Sequence, residues 1–323
     1  MIPTVVFLAA GMSTRYGRLK QLEAVGPGGE ALLDYAVFDA CRAGFSRVLL
    51  IIREELEGTF RAHIEGRWPA ELEVVFHHQK IQDLPGAEQA LADPSALVPV
   101  LERREKPWGT GHALLTAQPH LPHPFVLLNA DDFYGESAFA QAAEFLSGGP
   151  PTEVDRIPTF GLVTYTLADT LSEHGGVNRG ICEVDPEGWL ERVREVLEIG
   201  EGEGGLSGRT VSGQGVLLEG PEPISTNFWI FNPAIFPLME SEFSVFLREQ
   251  IDPTAGQAEF LIPTVVNHAV REGKARVKGI PTRGRFLGIT HPKDREWVMT
   301  GLKEMTEDGR YPSPLWGDGG HGD

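Results

Sequence analysis

Small and basic residues follow the first apolar run of the chain. After the run that ends at Leu8 come Gly11 and then three cations, Arg15, Arg18 and Lys20. Small residues let a ligand approach the backbone, and successive N–H groups can form an anion-binding nest, while the cations supply charge that a triphosphate would need. The spacing matches neither a P-loop nor the dinucleotide fingerprint. The stretch therefore predicts a phosphate-binding loop of another kind, or else an ordinary turn with solvated arginines.

A pair of acidic residues follows another apolar run. Residues 125–128 predict a buried strand, and Asp131 and Asp132 come shortly after it. Ligands of a parallel sheet bind at the carboxyl ends of its strands. Two adjacent carboxylates there are costly unless a cation offsets them, and Mg²⁺ needs only one or two carboxylates plus phosphate oxygens. The pair predicts a Mg²⁺ site. The alternative is that Asp131 only caps a turn, where Asp is common.

A Gly-Thr-Gly turn opens a helical stretch between these two segments. Gly109, Thr110 and Gly111 stand at its start. Free N–H groups at a helix start, together with glycines that permit close approach, favour contact with a ligand, although a plain helix start has the same residues. We expect His112 to pack under the turn and not to act in catalysis, because a lone histidine is most often structural.

The charge balance excludes several classes of partner. Acidic residues outnumber basic ones by 46 to 28, which gives a net charge of -18. Such a chain is a poor ligand for nucleic acid or an anionic membrane, so a phosphate group must be held by a local basic cluster. Cys41 and Cys182 form neither a metal-type spacing nor a disulfide framework. The N-terminal apolar stretch is too short for a signal peptide, and we expect a cytoplasmic protein.

Apolar runs alternate with helical patterns through the first half of the chain. This alternation predicts βαβ units and an α/β fold with a mostly parallel sheet. The second half predicts strands of a mixed sheet, and the Gly-rich residues 200–215 predict a mobile loop or loose hairpin. We expect one domain over residues 1–305, with a nucleotide-binding front half (1–135) and a substrate-binding back half (136–305). Residues 306–323 are expected to form a flexible tail.

The loop after the first strand carries a resemblance to a known family. Leu8-Ala9-Ala10-Gly11-x-Ser13-x-Arg15-x-Gly17 followed by Lys20 resembles the motif of nucleotidyltransferases with a GT-A-like, Rossmann-related fold, which include the sugar-1-phosphate nucleotidylyltransferases. The resemblance implies that fold, with helices flanking a mixed, mostly parallel sheet. It also implies that the loop wraps a triphosphate and that Arg15 and Lys20, the predicted catalytic residues, bind phosphate oxygens. The nucleotide-binding residues that it implies are Leu8, Ala10, Gly11, Met12, Ser13, Thr14, Glu105, Gly109 and Thr110.

Later segments resemble the family in the same order along the chain. The match around Asn129-Ala130-Asp131 assigns Asp131 as the Mg²⁺ ligand, and the segment at Asn227 implies a second metal ligand there. The segment around Gly180 resembles one that lies against the sugar. Glu195 stands where relatives contact sugar hydroxyls, although Val196-Leu197 replace the Lys-Pro that usually follows. Relatives usually place Gln where this chain has Glu105, which leaves the base open.

The resemblance implies transfer of a nucleoside monophosphate from a nucleoside triphosphate to a sugar 1-phosphate, with release of pyrophosphate. The acceptor brings its own ionised phosphate, so no catalytic base is assigned. Three alternatives stay open: another phosphorylated acceptor (molybdopterin, a polyol phosphate or an aminoalkyl phosphate), a non-catalytic domain that binds nucleotide sugars, and a glycosyltransferase. The last would want Asp-x-Asp, which Ala130-Asp131-Asp132 does not supply. The base, the sugar and the oligomeric state stay open.

Overall fold

A computed structural model describes residues 3–11, 19–148, 157–202, 204–251 and 258–317. Its strands are β1 (Thr4–Leu8), β2 (Arg47–Ile52), β3 (Glu73–His78), β4 (Phe125–Asn129), β5 (Asp132–Phe133), β6 (Thr159–Thr166), β7 (Val177–Val184), β8 (Leu190–Gly202), β9 (Gly205–Thr210), β10 (Gly215–Leu217), β11 (Pro223–Phe231), β12 (Arg276–Pro281) and β13 (Leu287–Gly288). Its helices are α1 (Leu32–Arg42), α2 (Glu57–Ile64), α3 (Ala87–Ala90), α4 (Val98–Arg103), α5 (Thr110–Thr116), α6 (Glu136–Ser147), α7 (Ile235–Gln250), α8 (Ile262–Arg271) and α9 (Asp294–Glu307).

The front of the sheet is parallel and brings the strand ends together. β1 lies between β2 and β4, and β3 flanks β2. In this register Leu8 pairs with Asn129 on one side and with Ile51 on the other. The residues that follow Leu8, Ile52 and Asn129 therefore emerge along one edge of the sheet, where ligands of parallel sheets bind.

The back of the sheet is built around β11. This strand runs antiparallel to β4, β6 and β7, and β8, β9 and β10 extend the sheet beyond β7. Most strands still run in the direction of β1, so the prediction of an α/β fold with a mixed, mostly parallel sheet is confirmed. In the Gly-rich region, the described residues form the β8–β9 and β9–β10 hairpin pairings.

Both faces of the sheet are covered, which explains the unbroken apolar runs of the central strands. Val6 and Leu127 belong to a buried apolar cluster with α5, α7 and α8. Val5 and Val126 point the other way and pack with α1 and α6. Of the described helices, none has the length and apolar character needed to cross a membrane.

The segment expected to be a flexible tail is packed where the structure describes it. Its first residues end α9, and the Tyr311 and Leu315 side chains are buried in an apolar cluster with Tyr35 of α1. The Tyr311 hydroxyl donates to Asp39 Oδ2 at 2.7 Å. The aromatic and aliphatic residues hold the chain against α1, while residues 318–323 lie outside the described part.

The buried Asp39 predicts a pH-dependent stability. Burial raises the pKa of its carboxyl group to about 7, above the ordinary value near 4. The folded state therefore binds a proton that the unfolded state releases, so this group stabilises the fold at low pH and loses that effect as the pH rises from about 4 to about 7. Asp39→Asn keeps an acceptor for Tyr311 and removes the ionisation.

We expect Asp39→Asn to raise the free energy of unfolding relative to wild type at about pH 8 and to raise it by much less at about pH 5. Urea unfolding of both proteins at the two pH values measures the difference. A difference of the same size at both pH values would show that the Asp39 carboxyl group does not titrate in this range.

Candidate active site

Two adjacent carboxylates mark the end of β4. Asn129 ends the strand, Asp131 follows, and Asp132 begins β5. β5 pairs with β13, and this pairing sets Asp132 opposite Gly288. A Cβ atom at Gly288 would lie 3.1 Å from Asp132 Oδ1, so a side chain at this position would crowd the carboxylate. The short β5–β13 ribbon thereby fixes Asp132 while Asp131 stays in the turn.

Lys20 and Asp131 are brought together across 111 residues of sequence. The Lys20 Nζ atom lies 2.8 Å from Asp131 Oδ2, and the two side chains are only 17% and 32% exposed. Although burial opposes its charge, Asp131 and Asp132 hold the pKa of Lys20 above its ordinary value. A predicted phosphate ligand and a predicted metal ligand thus form one partly buried ion pair.

Two polar residues hold the start of the loop after β1. The Gln21 amide donates to the Gly11 carbonyl oxygen at 2.8 Å, and Arg53 Nε donates to the Ala10 carbonyl oxygen at 3.1 Å. Neither residue was predicted. Arg53 follows the end of β2 directly, and its position at a strand end was the available signal. Residues 12–18 lie outside the described part, so the assignments of Met12, Ser13, Thr14 and Arg15 stay predictions.

A cavity of about 740 Å³, here called the front cavity, opens beside this loop. Its volume lies in the usual range of ligand sites. Arg53 and Gln79 line it together with residues that the sequence predicted to bind nucleotide or metal. Those predicted residues are Leu8, Ala10, Gly11, Glu105, Gly109, Thr110 and Asp131.

The Gly-Thr-Gly turn packs tightly against the segment before α8. Gly109 has a φ of 100°, and a Cβ atom there would lie 2.7 Å from the Phe260 carbonyl oxygen. Gly111 donates its N–H to that same oxygen at 2.8 Å. The glycines are thus required by close packing, and Thr110 is left on the wall of the front cavity.

His112 lies beneath this turn, as expected. Its side chain is fully buried, and burial lowers the pKa of its ring. Its Nδ1 atom lies 3.1 Å from the amide nitrogen of Gln79, which also donates to the Gly109 carbonyl oxygen at 3.0 Å. The histidine therefore supports the turn through Gln79.

A smaller pocket, here called the inner pocket, lies on the other side of the acidic pair. It measures about 130 Å³, and Asn129 lines both it and the front cavity. Asp132 faces this pocket and accepts a hydrogen bond from the Asn129 amide at 3.1 Å. Burial and the neighbouring Asp131 raise the pKa of Asp132 to about 6. The two carboxylates therefore serve different cavities.

The predicted acceptor residues meet in the inner pocket. Gly180 of β7 pairs directly with Glu195 of β8, and both line the pocket. A Cβ atom at Gly180 would lie 2.6 Å from Val193 Cγ1, which requires glycine there. Desolvation by the surrounding protein raises the pKa of Glu195, and the nearby Arg179 guanidinium opposes that shift.

Asn227 lines the inner pocket at an irregular point of β11. The pairing of β11 with β6 shifts register between Ser225 and Trp229, and Asn227 adopts a left-handed φ of 62°. Asparagine tolerates this conformation better than most residues. Trp229 Nε1 donates to the Asn227 Oδ1 atom at 3.4 Å. This hydrogen bond orients the amide at the pocket wall.

The two cavities each offer an oxygen donor of the kind that a hard cation such as Mg²⁺ prefers. Asp131 offers a carboxylate from the front cavity and Asn227 an amide oxygen from the inner pocket, and Mg²⁺ prefers oxygen ligands. Within the described ranges, no group of three or more His, Cys, Asp or Glu side chains could hold a metal ion. A cation bound here would take the rest of its shell from phosphate oxygens and water.

Arg179 is a site residue that the sequence reasoning missed. Its guanidinium donates to the Thr170 carbonyl oxygen at 2.6 Å and to Thr170 Oγ1 at 3.2 Å. It lies 5.5 Å from the centre of the Phe286 ring and lines the inner pocket. The available signal was a cation directly before Gly180, where the resembling family segment has tyrosine.

Comparisons with known proteins identify the fold. No protein-family model and no curated protein matches the chain. Among solved structures, the inositol-1-phosphate CTP transferase from T. maritima matches with a TM-score of 0.57 and 14% identity, over 94% of this chain and 97% of that one.

Two UDP-glucose pyrophosphorylases match in the same way. The one from Acinetobacter baumanii has a TM-score of 0.57 and 15% identity, over 96% of this chain and 95% of its own. One solved with UDP-glucose has a TM-score of 0.55 and 16% identity, over 94% and 99%. The chain therefore has the fold of these nucleotidyltransferases over nearly its whole length.

Proposed function

We propose that this chain is a cytoplasmic, Mg²⁺-dependent nucleotidyltransferase that transfers a nucleoside monophosphate from a nucleoside triphosphate to a sugar 1-phosphate. The observation that carries the proposal is the acidic pair at the end of β4, whose Asp131 forms an ion pair with Lys20. Asp131 faces the front cavity and Asp132 the inner pocket. A triphosphate in the front cavity and a phosphorylated acceptor in the inner pocket would meet at this acidic pair.

The reaction is a displacement at the α-phosphorus. An oxygen of the acceptor phosphate forms a bond to that phosphorus, the bond to the bridging oxygen breaks, and pyrophosphate leaves with the electron pair. The attacking phosphate is already ionised, so no side chain needs to remove a proton. Positioning and charge stabilisation carry such a reaction.

The chain's own residues supply much of that positioning. Lys20, and Arg15 in the same loop, place positive charge beside the phosphates in a chain whose net charge is -18. Gln21 and Arg53 hold the backbone at Ala10 and Gly11 against the front cavity. A Mg²⁺ ion held by Asp131 and Asn227 would supply further charge to the phosphate oxygens.

The inner pocket favours a hydroxyl-rich acceptor. Glu195 accepts hydrogen bonds, and Asn178, Ser225 and Thr226 add amide and hydroxyl groups to the lining. Such groups match sugar hydroxyls, which both donate and accept. A polyol phosphate presents the same chemistry and is the second candidate, because a neighbour in fold is an inositol-1-phosphate CTP transferase.

Pyrophosphate release tests the proposal. The purified protein is incubated with Mg²⁺, each common nucleoside triphosphate, and glucose 1-phosphate, N-acetylglucosamine 1-phosphate or inositol 1-phosphate. We expect release that depends on both substrates. If none of these acceptors supports pyrophosphate release, the sugar-1-phosphate assignment is overturned. Binding of nucleotide sugars without release would favour a binding domain.

Removing the Asp131 charge is expected to abolish most turnover and to leave the fold intact. Asp131→Asn keeps the side-chain shape but loses a charge that holds Mg²⁺, a loss that costs several kcal/mol of transition-state stabilisation. The measurement is kcat/KM together with the thermal unfolding midpoint. Activity near wild type at saturating Mg²⁺ would contradict the assignment.

Lys20→Ala and Arg15→Ala are each expected to lower kcat/KM by about 10²–10³-fold, the scale of one lost charge-stabilising donor. Arg47→Ala, at the far end of the neighbouring strand β2, is the matched control and should retain turnover. If the Lys20 and Arg15 variants keep wild-type kinetics and lose only thermal stability, these residues have a structural role.

Substitutions in the two cavities should separate by substrate. Thr110→Trp places a bulky ring in the front cavity and should raise KM for the triphosphate far more than for the sugar phosphate. Glu195→Ala should do the reverse, at about 1–3 kcal/mol for the lost polar contact. Glu191→Ala, at an exposed position of the same strand, is the control. Equal effects of Glu195→Ala on both KM values would remove Glu195 from the acceptor site.

A further inference from the structure

A third cavity, here called the outer cavity, continues the inner pocket away from the acidic pair. It measures about 710 Å³. Arg179, Phe286, Gly288 and Thr290 line both spaces. The inner pocket is therefore a narrow middle section between the front cavity and the outer cavity.

The sizes of these spaces bear on the acceptor. Ligand sites usually measure about 300–1,000 Å³. The inner pocket, at about 130 Å³, falls below that range, whereas the outer cavity, at about 710 Å³, lies within it. An acceptor whose phosphate reaches the acidic pair through the inner pocket has room for its remaining part in the outer cavity.

The wall of the outer cavity is tied together across the sequence. Ser172 donates to Asp294 Oδ1 at 2.6 Å, and Asp294 Oδ2 accepts the His291 N–H at 2.6 Å. The His291 ring lies 3.0 Å from the Gly176 carbonyl oxygen, and a Cβ atom at Gly175 would lie 2.8 Å from that ring. The loop between β6 and β7 is thus fastened to the start of α9, and the cavity is preformed.

The lining chemistry selects the kind of group. Asp169, Glu173 and Glu201 offer carboxylate acceptors, and Thr290 offers a hydroxyl group. Trp297, which is 39% exposed, adds an aromatic surface. Hydroxyl groups both donate and accept hydrogen bonds, so a lining of this mixture suits a sugar ring.

A second phosphate is disfavoured in the outer cavity. Three of its acidic side chains are exposed to solvent. The Arg179 guanidinium at its inner end already donates to Thr170 and to the Asn178 carbonyl oxygen. An added anion would face this negative lining, whereas an uncharged hydroxyl-rich ring would not.

We propose that the outer cavity is part of the acceptor site and receives a second, uncharged sugar ring, so that the acceptor is a disaccharide 1-phosphate. This inference rests on the proposed function. The phosphate occupies the inner pocket, the first ring spans the passage at Arg179 between the two spaces, and the second ring lies among Glu173, Glu201 and Trp297.

The test compares glucose 1-phosphate with the 1-phosphates of maltose, cellobiose and lactose in the pyrophosphate-release assay. We expect at least one disaccharide 1-phosphate to have a kcat/KM about tenfold or more above that of glucose 1-phosphate, the scale on which hydroxyl contacts discriminate substrates. Glu201→Trp and Glu173→Trp, which fill the outer cavity from two sides, should each remove that preference. Glu191→Trp, exposed near the start of β8, should keep it.

The outcomes separate this inference from the function beneath it. Turnover of glucose 1-phosphate with no preference for any disaccharide overturns the outer-cavity inference alone. A preference that survives both filling variants also overturns it, because the second ring then binds elsewhere. No turnover of any sugar 1-phosphate overturns the proposed function and this inference with it.

Discussion

Two neighbouring carboxylates at the end of a buried strand are the constraint on which the site depends. Asp131 and Asp132 cannot both be ionised in a partly buried turn at low cost unless positive charge lies near. Lys20 supplies it at 2.8 Å. Because β1 and β4 are adjacent and parallel, their carboxyl ends lie at the same edge of the sheet, where the front cavity opens.

The same constraint divides the cleft. β5–β13 pairing turns Asp132 toward the inner pocket, whereas Asp131 stays with the front cavity. Each cavity thus has its own carboxylate, and Asn129 lies between them. In the proposed reaction both substrates are anions and repel each other. Separate cavities that adjoin at one point would bring only the reacting atoms together. Tight glycine contacts at Gly109 and Gly180 then set the walls on either side.

The front of the molecule was predictable from sequence because its signals are local. The apolar run of β4 and the acidic pair after it identify a strand end without any knowledge of its neighbours. The structure pairs Lys20 of the loop motif with Asp131, while its contact with phosphates stays a prediction. For Arg179 the sequence held only a weak signal, the cation before Gly180. The hydrogen bond of His291 to Gly176 was not predictable, since it depends on packing between segments distant in sequence. The packing of the C-terminal segment was not predicted because its Gly, Pro and Asp content is typical of a flexible tail. Two side chains within it, Tyr311 and Leu315, are nevertheless buried.

The fate of the α-phosphorus tests the central claim most directly. A nucleoside triphosphate radiolabelled at the α-phosphorus, and in a parallel reaction at the γ-phosphorus, is incubated with the protein, Mg²⁺ and a sugar 1-phosphate. If the divided cleft carries out nucleotidyl transfer, the α-label appears in an acceptor conjugate that resists phosphatase, and the γ-label appears in pyrophosphate. Appearance of the γ-label on the acceptor, or of the α-label in free nucleotide alone, would contradict the account.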